Sequence, residues 1–339
     1  MLAARLHGYK EGFALEEVPQ PEPPAGGALI RVAGAGACHS DLHLQRGEIP
    51  MLPSFPWILG HENAGYVEAL GDGASGFAPG DPVAVYGGWG CGRCRFCLGG
   101  QEQMCDVTRW VGVGRPGGYA EYLAVPAIRH LVPLGDLNPA TAAPLVDAAL
   151  TPYRAVMKGG ERLRPGAVAV SIGVGGLGQY GLSFLRELTA ARVVAVDTDP
   201  QKRAVAEALG ADLVLDPSAV DVPAEVKALT GGEGADVVID YVGAESTLAT
   251  AGGVVARQGL VVVVGLAGGS LPFSFLGVAG EAVVTSSQWG TRNELDEVVA
   301  LAQRGVIPIA ADLQPLVKIN EVFGRLERGE IERRAVLVP

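Results

Sequence analysis

Four of the five cysteines in this 339-residue chain lie within one fifteen-residue segment, CGRCRFCLGGQEQMC. Cys91, Cys94, Cys97 and Cys105 follow the spacing C-x2-C-x2-C-x7-C. A disulfide scaffold would be smaller and richer in cysteine, and cysteines this close together seldom bridge one another comfortably. Four thiolates on a short, glycine-rich loop suit a closed tetrahedral zinc site that holds the loop together. We therefore predict a structural zinc, with four unrelated reduced cysteines or a nucleic-acid zinc finger as the alternatives.

The net charge of the chain argues against a nucleic-acid partner, and the pattern of its apolar segments argues against a membrane span. The formal net charge of −11 opposes binding to phosphate backbones. The N-terminal residues lack the apolar core of a signal peptide. Residues 258–280 carry no charge, but glycines and Pro272 interrupt them, which indicates a buried strand followed by loops rather than a membrane span. We expect a soluble, cytoplasmic protein.

A nucleotide-binding pattern occupies residues 167–197. An apolar strand is followed by Gly173, Gly175 and Gly178 in the pattern G-x-G-x-x-G, then by an amphipathic helix and a second strand that ends at Asp197. The glycines allow the turn, the approach of a pyrophosphate and close packing of the helix on its strand. The helix N-terminus favours the pyrophosphate, and Asp197 is expected to accept hydrogen bonds from the adenosine ribose. A carboxylate there repels a 2′-phosphate, so NAD is favoured over NADP.

Further strands and helices alternate along the chain to about residue 290, as in the segments ADLVLD, ADVVIDYVG and GLVVVVGLAGG. This alternation predicts an α/β fold with a doubly wound parallel sheet, the Rossmann arrangement. We assign residues 150–289 to this NAD-binding domain. Residues 1–149, which contain the cysteine loop, and residues 290–339 are assigned to a second, mainly-β domain.

A second metal site is suggested by polar residues in three separate segments. The fifth cysteine, Cys38, lies in GACHSDLH, His61 lies in LGHENAGYV, and Asp147 interrupts an apolar run. A catalytic zinc needs about three protein ligands and one open position. Each residue also has a simpler explanation, as a buried thiol, a core histidine or a helix cap.

These motifs together resemble the zinc-dependent medium-chain alcohol dehydrogenases over essentially the whole chain. The resemblance implies a GroES-like catalytic domain beside the Rossmann domain, and two zinc ions per chain. The segments VYGGWGCG, PLVDAALTPY and WGTRNELDEVV look most like bacterial members that favour secondary alcohols and ketones.

The resemblance also implies roles around the catalytic zinc. Cys38, His61 and Asp147 would be its ligands, although the family usually has cysteine where this chain has Asp147. Glu62 would be an alternative or transient ligand. Asp41 would accept the other ring N–H of His61 and fix its tautomer.

Ser40 and His43 match a proton relay that runs through the nicotinamide ribose. The remaining residues matched to the cofactor are Gly176 in the glycine-rich turn, Leu177 and Thr151 at the nicotinamide, Lys202 at the adenosine ribose and His39 at the pyrophosphate. His39 replaces a common arginine.

The predicted function is therefore interconversion of alcohols with ketones or aldehydes by hydride transfer to and from NAD. A homodimer or homotetramer that pairs through residues 259–287 is implied by the same resemblance. Two other functions remain open from the sequence: a zinc-free quinone or enone reductase of the same fold, and a nucleotide-binding regulator without turnover.

Overall fold

The computed structural model describes residues 1–309 and 311–339. The chain forms two compact units. The first contains Met1–Leu150 and Gly290–Pro339, and the second contains Thr151–Trp289. Within the described residues, no helix is both long and apolar enough to cross a bilayer.

The first unit is built on a largely antiparallel sheet in which the C-terminal segment pairs with strands from the start of the chain. In the spatial order β14–β15–β3–β4–β5–β7, with β6 also paired to β3, its strands are β14 (Ala311–Pro315), β15 (Arg334–Val338), β3 (Ala28–Gly36), β4 (Glu62–Leu70), β5 (Pro82–Val85), β7 (Leu131–Pro133) and β6 (Tyr122–Val125).

A separate antiparallel pair and several helices complete this unit. The pair is β1 (Leu2–Arg5) with β2 (Ala14–Glu17), and the helices are α1 (His39–Arg46), α2 (Arg95–Leu98), α3 (Pro139–Ala142), α9 (Arg292–Gln303) and α10 (Ile319–Glu327).

The register of the central strands determines which segments meet. Strand β3 is buried along most of its length, and its last residue, Gly36, pairs with Glu62 at the start of β4. Gly36 also pairs with Val336 of β15. Because these strands are antiparallel, the loop after β3, the start of β4 and the start of β15 lie together at one edge of the sheet.

The second unit contains a six-stranded parallel sheet. In the spatial order β10–β9–β8–β11–β12–β13, its strands are β10 (Leu213–Leu215), β9 (Arg192–Val196), β8 (Val168–Ile172), β11 (Ala235–Asp240), β12 (Val255–Val263) and β13 (Val283–Ser286). The helices are α4 (Leu150–Met157), α5 (Gly176–Leu188), α6 (Pro200–Ala208), α7 (Val222–Leu229) and α8 (Glu245–Val254).

The strand order reverses between β8 and β11, as in a doubly wound sheet. Valines and isoleucines of β8, β9 and β11 fill the core of this unit, among them Val170, Ile172, Val194 and Val238. Strands that are buried on both faces carry continuous apolar runs, and these runs predict the strands from the sequence. The structure confirms the predicted fold class, and it places the glycine-rich turn at the reversal point, where open α/β sheets bind ligands.

Candidate active site and metal centres

The four clustered cysteines converge in the first unit. Their sulfur atoms all lie within 4.8 Å of one another, and the Cys94–Cys97 and Cys91–Cys97 Sγ distances are 3.5 and 3.9 Å. Zinc–sulfur bonds of about 2.3 Å in a tetrahedron place sulfurs about 3.8 Å apart, whereas a disulfide needs about 2 Å. The donor set and its spacing therefore fit zinc, and the four cysteines are free thiols.

The Cys91 thiol is prepared for metal binding by its surroundings. Backbone hydrogen bonds from Arg93 and Cys94 lower its pKa to about 6. Zinc binds the thiolate form, so a lowered pKa reduces the cost of releasing the proton.

A partly buried acid that sequence reasoning missed joins the cysteine loop to the rest of the first unit. Glu102 lies in a short 3-10 segment, Glu102–Met104, just before Cys105. Its Oε2 accepts the Gly90 N–H at 2.9 Å and lies 3.2 Å from His130 Nε2, while Arg129 Nε donates to its Oε1 at 3.0 Å. Burial alone would raise the pKa of Glu102, but His130 and Arg129 outweigh it and lower the pKa to about 2.

A second cluster contains Cys38, His61, Glu62 and Asp147, whose ligand atoms also lie within 4.8 Å of one another. Cys38 follows β3 and directly precedes α1, and His61 directly precedes β4, so the pairing of β3 with β4 brings them together. Asp147 follows a 3-10 turn, Ala143–Val146, that packs against β4.

The distances within this cluster suit a metal ion. Asp147 Oδ2 lies 3.4 Å from His61 Nε2 and 3.8 Å from Cys38 Sγ. Tetrahedral zinc with bonds of about 2.0 to 2.3 Å separates such donors by about 3.3 to 3.8 Å. The cluster is also rich in acids, because Glu62 is wholly buried within it and Asp41 is wholly buried beside it. Cysteine, histidine and carboxylate are a donor set for zinc, and the surplus of acids favours a bound cation.

The electrostatics at His61 show the effect of these acids. Burial lowers the pKa of His61, but the charge of Asp41 and hydrogen bonds with Asp147, Asp41 and Cys38 raise it well above its ordinary value. Asp41 Oδ1 lies 3.0 Å from His61 Nδ1. When Nδ1 donates its hydrogen to Asp41, Nε2 presents its lone pair on the side of Asp147.

Glu62 has a partner that sequence reasoning missed. Arg334, in β15, makes a two-pronged ion pair with the Glu62 carboxylate, and its Nε donates to Oε2 at 2.9 Å. Both side chains are almost fully buried, and Arg334 Nη2 also lies 3.7 Å from Asp147 Oδ2. Burial raises the pKa of Glu62 to about 7 although Arg334 opposes the shift. The sequence contains one signal of this pairing, which is that the apolar C-terminal strand begins with an arginine.

The residues predicted for proton transfer lie on α1. Ser40 Oγ is 3.6 Å from Cys38 Sγ, next to the cluster. His43, one turn further along, has 25% of its side chain exposed and forms an ion pair with Glu48 through Nδ1. His39 is exposed at the first position of the same helix.

The glycine-rich turn has the shape needed for a pyrophosphate. Gly173 has a φ of +87°, in the region that side chains disfavour. A Cβ on Gly178 would lie 1.9 Å from Gly173 O, whereas a Cβ on Gly175 would point into open space at the N-terminus of α5. Gly176 and Leu177 form the first turn of α5. Only glycine permits this close turn, and the open space above it is available to a dinucleotide.

The acid after the second strand is held rigidly. Asp197 Oδ2 accepts the Val174 N–H at 2.7 Å, and Oδ1 accepts the Asp199 N–H at 2.9 Å. Sequence reasoning overlooked Arg203, a positive charge close by on α6. Its guanidinium is occupied by the Asp197 and Thr198 carbonyls and by Asp216, at 2.7 to 3.0 Å.

The remaining predicted cofactor residues belong to the second unit. Lys202, half-buried, is on α6, and Thr151, buried, is on α4.

A parallel-sheet nucleotide fold, a glycine-rich turn and two zinc-type clusters define a zinc-binding, nucleotide-dependent dehydrogenase. Comparison with known proteins identifies the family. Residues 24–136 match the alcohol dehydrogenase GroES-like domain, and residues 176–304 match the zinc-binding dehydrogenase domain. The chain belongs to the zinc-dependent medium-chain alcohol dehydrogenases, and it is an enzyme that uses NAD and zinc.

Three relatives show the extent of the similarity. An NAD-dependent alcohol dehydrogenase of Sulfurisphaera tokodaii is 36% identical over 349 residues, with all of both chains covered. The crystal structure of the alcohol dehydrogenase of Aeropyrum pernix matches with a TM-score of 0.93 and 37% identity, again over all of both chains. D-arabinose 1-dehydrogenase (NADP(+)) of Saccharolobus solfataricus is 35% identical over 99% of this chain and 97% of its own. The comparisons confirm the predicted family, enzyme class and cofactors. The arabinose dehydrogenase is named for a different substrate and for NADP, although its sequence identity to this chain is similar to that of the alcohol dehydrogenases.

Proposed function

We propose that this enzyme interconverts secondary alcohols and ketones, with Cys38, His61 and Asp147 holding the catalytic zinc. The observation that carries the proposal is the convergence of these three side chains beside Ser40, at separations that suit tetrahedral zinc. The preference for secondary alcohols rests on the resemblance of three sequence segments to bacterial enzymes with that preference. The cytoplasmic location stays a prediction from the sequence.

The pairing of Glu62 supports Asp147 as the third ligand. Both Glu62 oxygens face the Arg334 guanidinium, whereas Asp147 Oδ2 faces Cys38 and His61. Moving Glu62 to a metal would break a buried, charge-assisted pair. Glu62 is thus the alternative ligand, and it can bind the metal only when its ion pair with Arg334 breaks.

Each part of the site has a chemical task. Zinc, when bound, supplies a Lewis acid that lowers the pKa of a substrate hydroxyl, and NAD, when bound, supplies the hydride acceptor. Asp41 orients the His61 ring, and the Ser40 hydroxyl receives the substrate proton. His43, partly exposed and beside Glu48, exchanges that proton with solvent, because an imidazole ring can both accept and donate a proton.

The glycine-rich turn and Asp197 would hold the dinucleotide, with Leu177, Thr151 and Lys202 beside it and His39 at its pyrophosphate. Asp197 supports the preference for NAD over NADP, since a carboxylate in this position repels a 2′-phosphate. We further propose that the two units are the protein's two domains.

The decisive experiment measures NADH formation by purified enzyme with NAD and 2-propanol, 1-propanol or D-arabinose. We expect 2-propanol to give the highest kcat/KM, and slow treatment with a zinc chelator to abolish the activity. A preference for 1-propanol or arabinose would refute the substrate proposal while leaving the enzyme class intact.

The third ligand is tested by zinc content. Asp147→Asn should retain about one tightly held zinc per chain in place of two, because a neutral amide is a much weaker zinc ligand than a carboxylate. Glu22→Gln serves as the control, because Glu22 is exposed and is distant in sequence from the proposed zinc ligands. Two tightly held zinc ions in Asp147→Asn would assign the third ligand to Glu62.

The relay is tested by Ser40→Ala. This variant should keep its zinc content and lose about 100-fold in kcat, which is the usual effect of removing a proton-transfer group. Ser54→Ala removes an exposed hydroxyl and should have wild-type kcat. Unchanged kcat in Ser40→Ala would remove Ser40 from the relay.

We also propose a homodimer or homotetramer that pairs through residues 259–287. Strand β13 is an edge strand whose Val283 is 45% exposed, and the preceding loop exposes Phe273, Phe275 and Leu276. Phe275 and Leu276 are 95% and 89% exposed. An apolar patch beside an open strand edge suits a second copy of the chain. Analytical ultracentrifugation of Phe275→Ser/Leu276→Ser should show dissociation relative to wild type, and an unchanged oligomer would exclude this surface.

A further inference from the structure

A buried tyrosine lies behind the acid that orients His61. Tyr119 is fully buried, and its hydroxyl oxygen is 2.7 Å from Asp41 Oδ2 and 3.1 Å from Gly36 O. Its single hydrogen can serve one of these two acceptors at full strength. The charged and nearer acceptor, Asp41, is the stronger one, so Tyr119 donates to the carboxylate.

This bond leaves neither oxygen of Asp41 free to move. Oδ1 faces His61 Nδ1 at 3.0 Å, while Oδ2 accepts from Tyr119 and, at 3.3 Å, from the Cys38 N–H. A carboxylate held at both oxygens cannot rotate about its Cβ–Cγ bond. The direction of the hydrogen bond that orients His61 is therefore determined partly by Tyr119.

The tyrosine ring is itself held in place. It makes edge-to-face contacts with Phe13 and Phe323, with ring centroids 6.0 and 5.9 Å away. The ring also lies against Gly60, where an added Cβ would be 2.7 Å from Tyr119 Cδ1. Gly60 immediately precedes His61, and the Tyr119 N–H donates to Leu59 O at 3.1 Å. The hydroxyl thus has a position set by packing on three sides.

We propose that Tyr119 is a positioning residue for the zinc ligand His61, acting through Asp41. The inference rests on the proposed zinc site of Cys38, His61 and Asp147. Tyr119 does not touch a metal ligand through its hydroxyl; it fixes the acceptor that orients one. Outer hydrogen-bond partners of this kind typically change metal affinity about 10- to 100-fold when removed.

The test compares Tyr119→Phe with Tyr86→Phe. Both replacements keep a fully buried ring and remove one bonded hydroxyl; that of Tyr86 lies 2.9 Å from Gly290 O. Zinc release to a chromogenic chelator is followed alongside loss of activity, which identifies the catalytic zinc. We expect Tyr119→Phe to release that zinc about tenfold faster than wild type and to release the cysteine-loop zinc at the wild-type rate. Tyr86→Phe should release the catalytic zinc as wild type does.

A second readout is independent of turnover. With Co2+ in the catalytic site, the visible spectrum reports ligand geometry, and Tyr119→Phe should shift its bands while Tyr86→Phe should not. Wild-type zinc release and an unchanged cobalt spectrum in Tyr119→Phe would overturn the proposal, as would equal acceleration in both variants. If Cys38→Ser keeps two zinc ions, the proposed zinc site itself fails, which is a separate result.

Discussion

Replacing Glu102 by glutamine should loosen the cysteine loop without touching any of its four thiols. The glutamine retains the shape of the side chain and an oxygen that can accept the Gly90 N–H. It removes the negative charge that faces His130 and Arg129. The substitution therefore removes the charge and one of the two acceptor oxygens while the size of the side chain is kept.

The size of the effect follows from the pKa of Glu102, which falls from its ordinary 4.5 to about 2. At about 1.4 kcal/mol per pKa unit this corresponds to about 3 kcal/mol. Arg129 is 51% exposed, so solvent screening reduces the figure to about 2 kcal/mol. Because the pKa is lowered in the folded state, this stabilisation is complete above about pH 4.5 and is lost as the pH falls towards 2. At pH 7.5 His130 is neutral, because burial lowers its pKa, so its charge contributes nothing there and about 1 kcal/mol remains.

The assay is the rate at which the cysteine-loop zinc passes to a chelator at pH 7.5. If release requires local opening of the loop, the loss of about 1 kcal/mol accelerates it roughly fivefold. Zinc lost without loss of activity identifies this site, and Glu22→Gln, which removes an exposed charge, should behave as wild type. Glu102→Gln with wild-type release would show that Glu102 does not hold the loop.

Three further predictions concern other parts of the molecule. Asp197→Asn should raise kcat/KM for NADP relative to NAD about tenfold, since a like charge near the 2′-phosphate is removed; an unchanged ratio in steady-state assays would contradict this. Arg334→Met should cost about 3 to 5 kcal/mol in urea unfolding because it leaves Glu62 buried without a countercharge. Adding Glu62→Gln should recover part of that loss, and no recovery would refute the coupling. Tyr241→Phe should raise stability by about 1 kcal/mol, because the buried Tyr241 hydroxyl has no hydrogen-bond partner among the described residues; a lower unfolding midpoint would count against it.

The parallel sheet of the second unit was predictable because its signals are local. Buried strands carry continuous apolar runs, and the turn after β8 requires glycine for reasons confined to a few residues. Predicted strand Arg192–Val196 has the bounds that the structure shows. The helix after the glycine-rich turn ends at Leu188, where the amphipathic pattern also ends.

The zinc site of the cysteine loop was predictable for the same reason, since its four ligands are close together along the chain. Cys38, His61 and Asp147 are far apart in sequence. Their assignment to one zinc site depended mainly on the resemblance of the surrounding motifs to a known family. Short-range spacing contains geometric information that long-range separation does not.

The sequence by itself determined the parallel nucleotide fold, the cysteine zinc loop and the family of enzyme, because each depends on residues that are neighbours along the chain. Tertiary structure alone decided that Arg334 pairs with Glu62 and that Tyr119 holds Asp41. Arg334 and Glu62 are 272 residues apart and meet because β15 joins the sheet that contains β3 and β4. Tyr119 and Asp41 are 78 residues apart, and Tyr119 is held near the site by the bond from its N–H to Leu59 O. Strand pairing over such distances follows from the packing of the whole unit, and no local pattern records it.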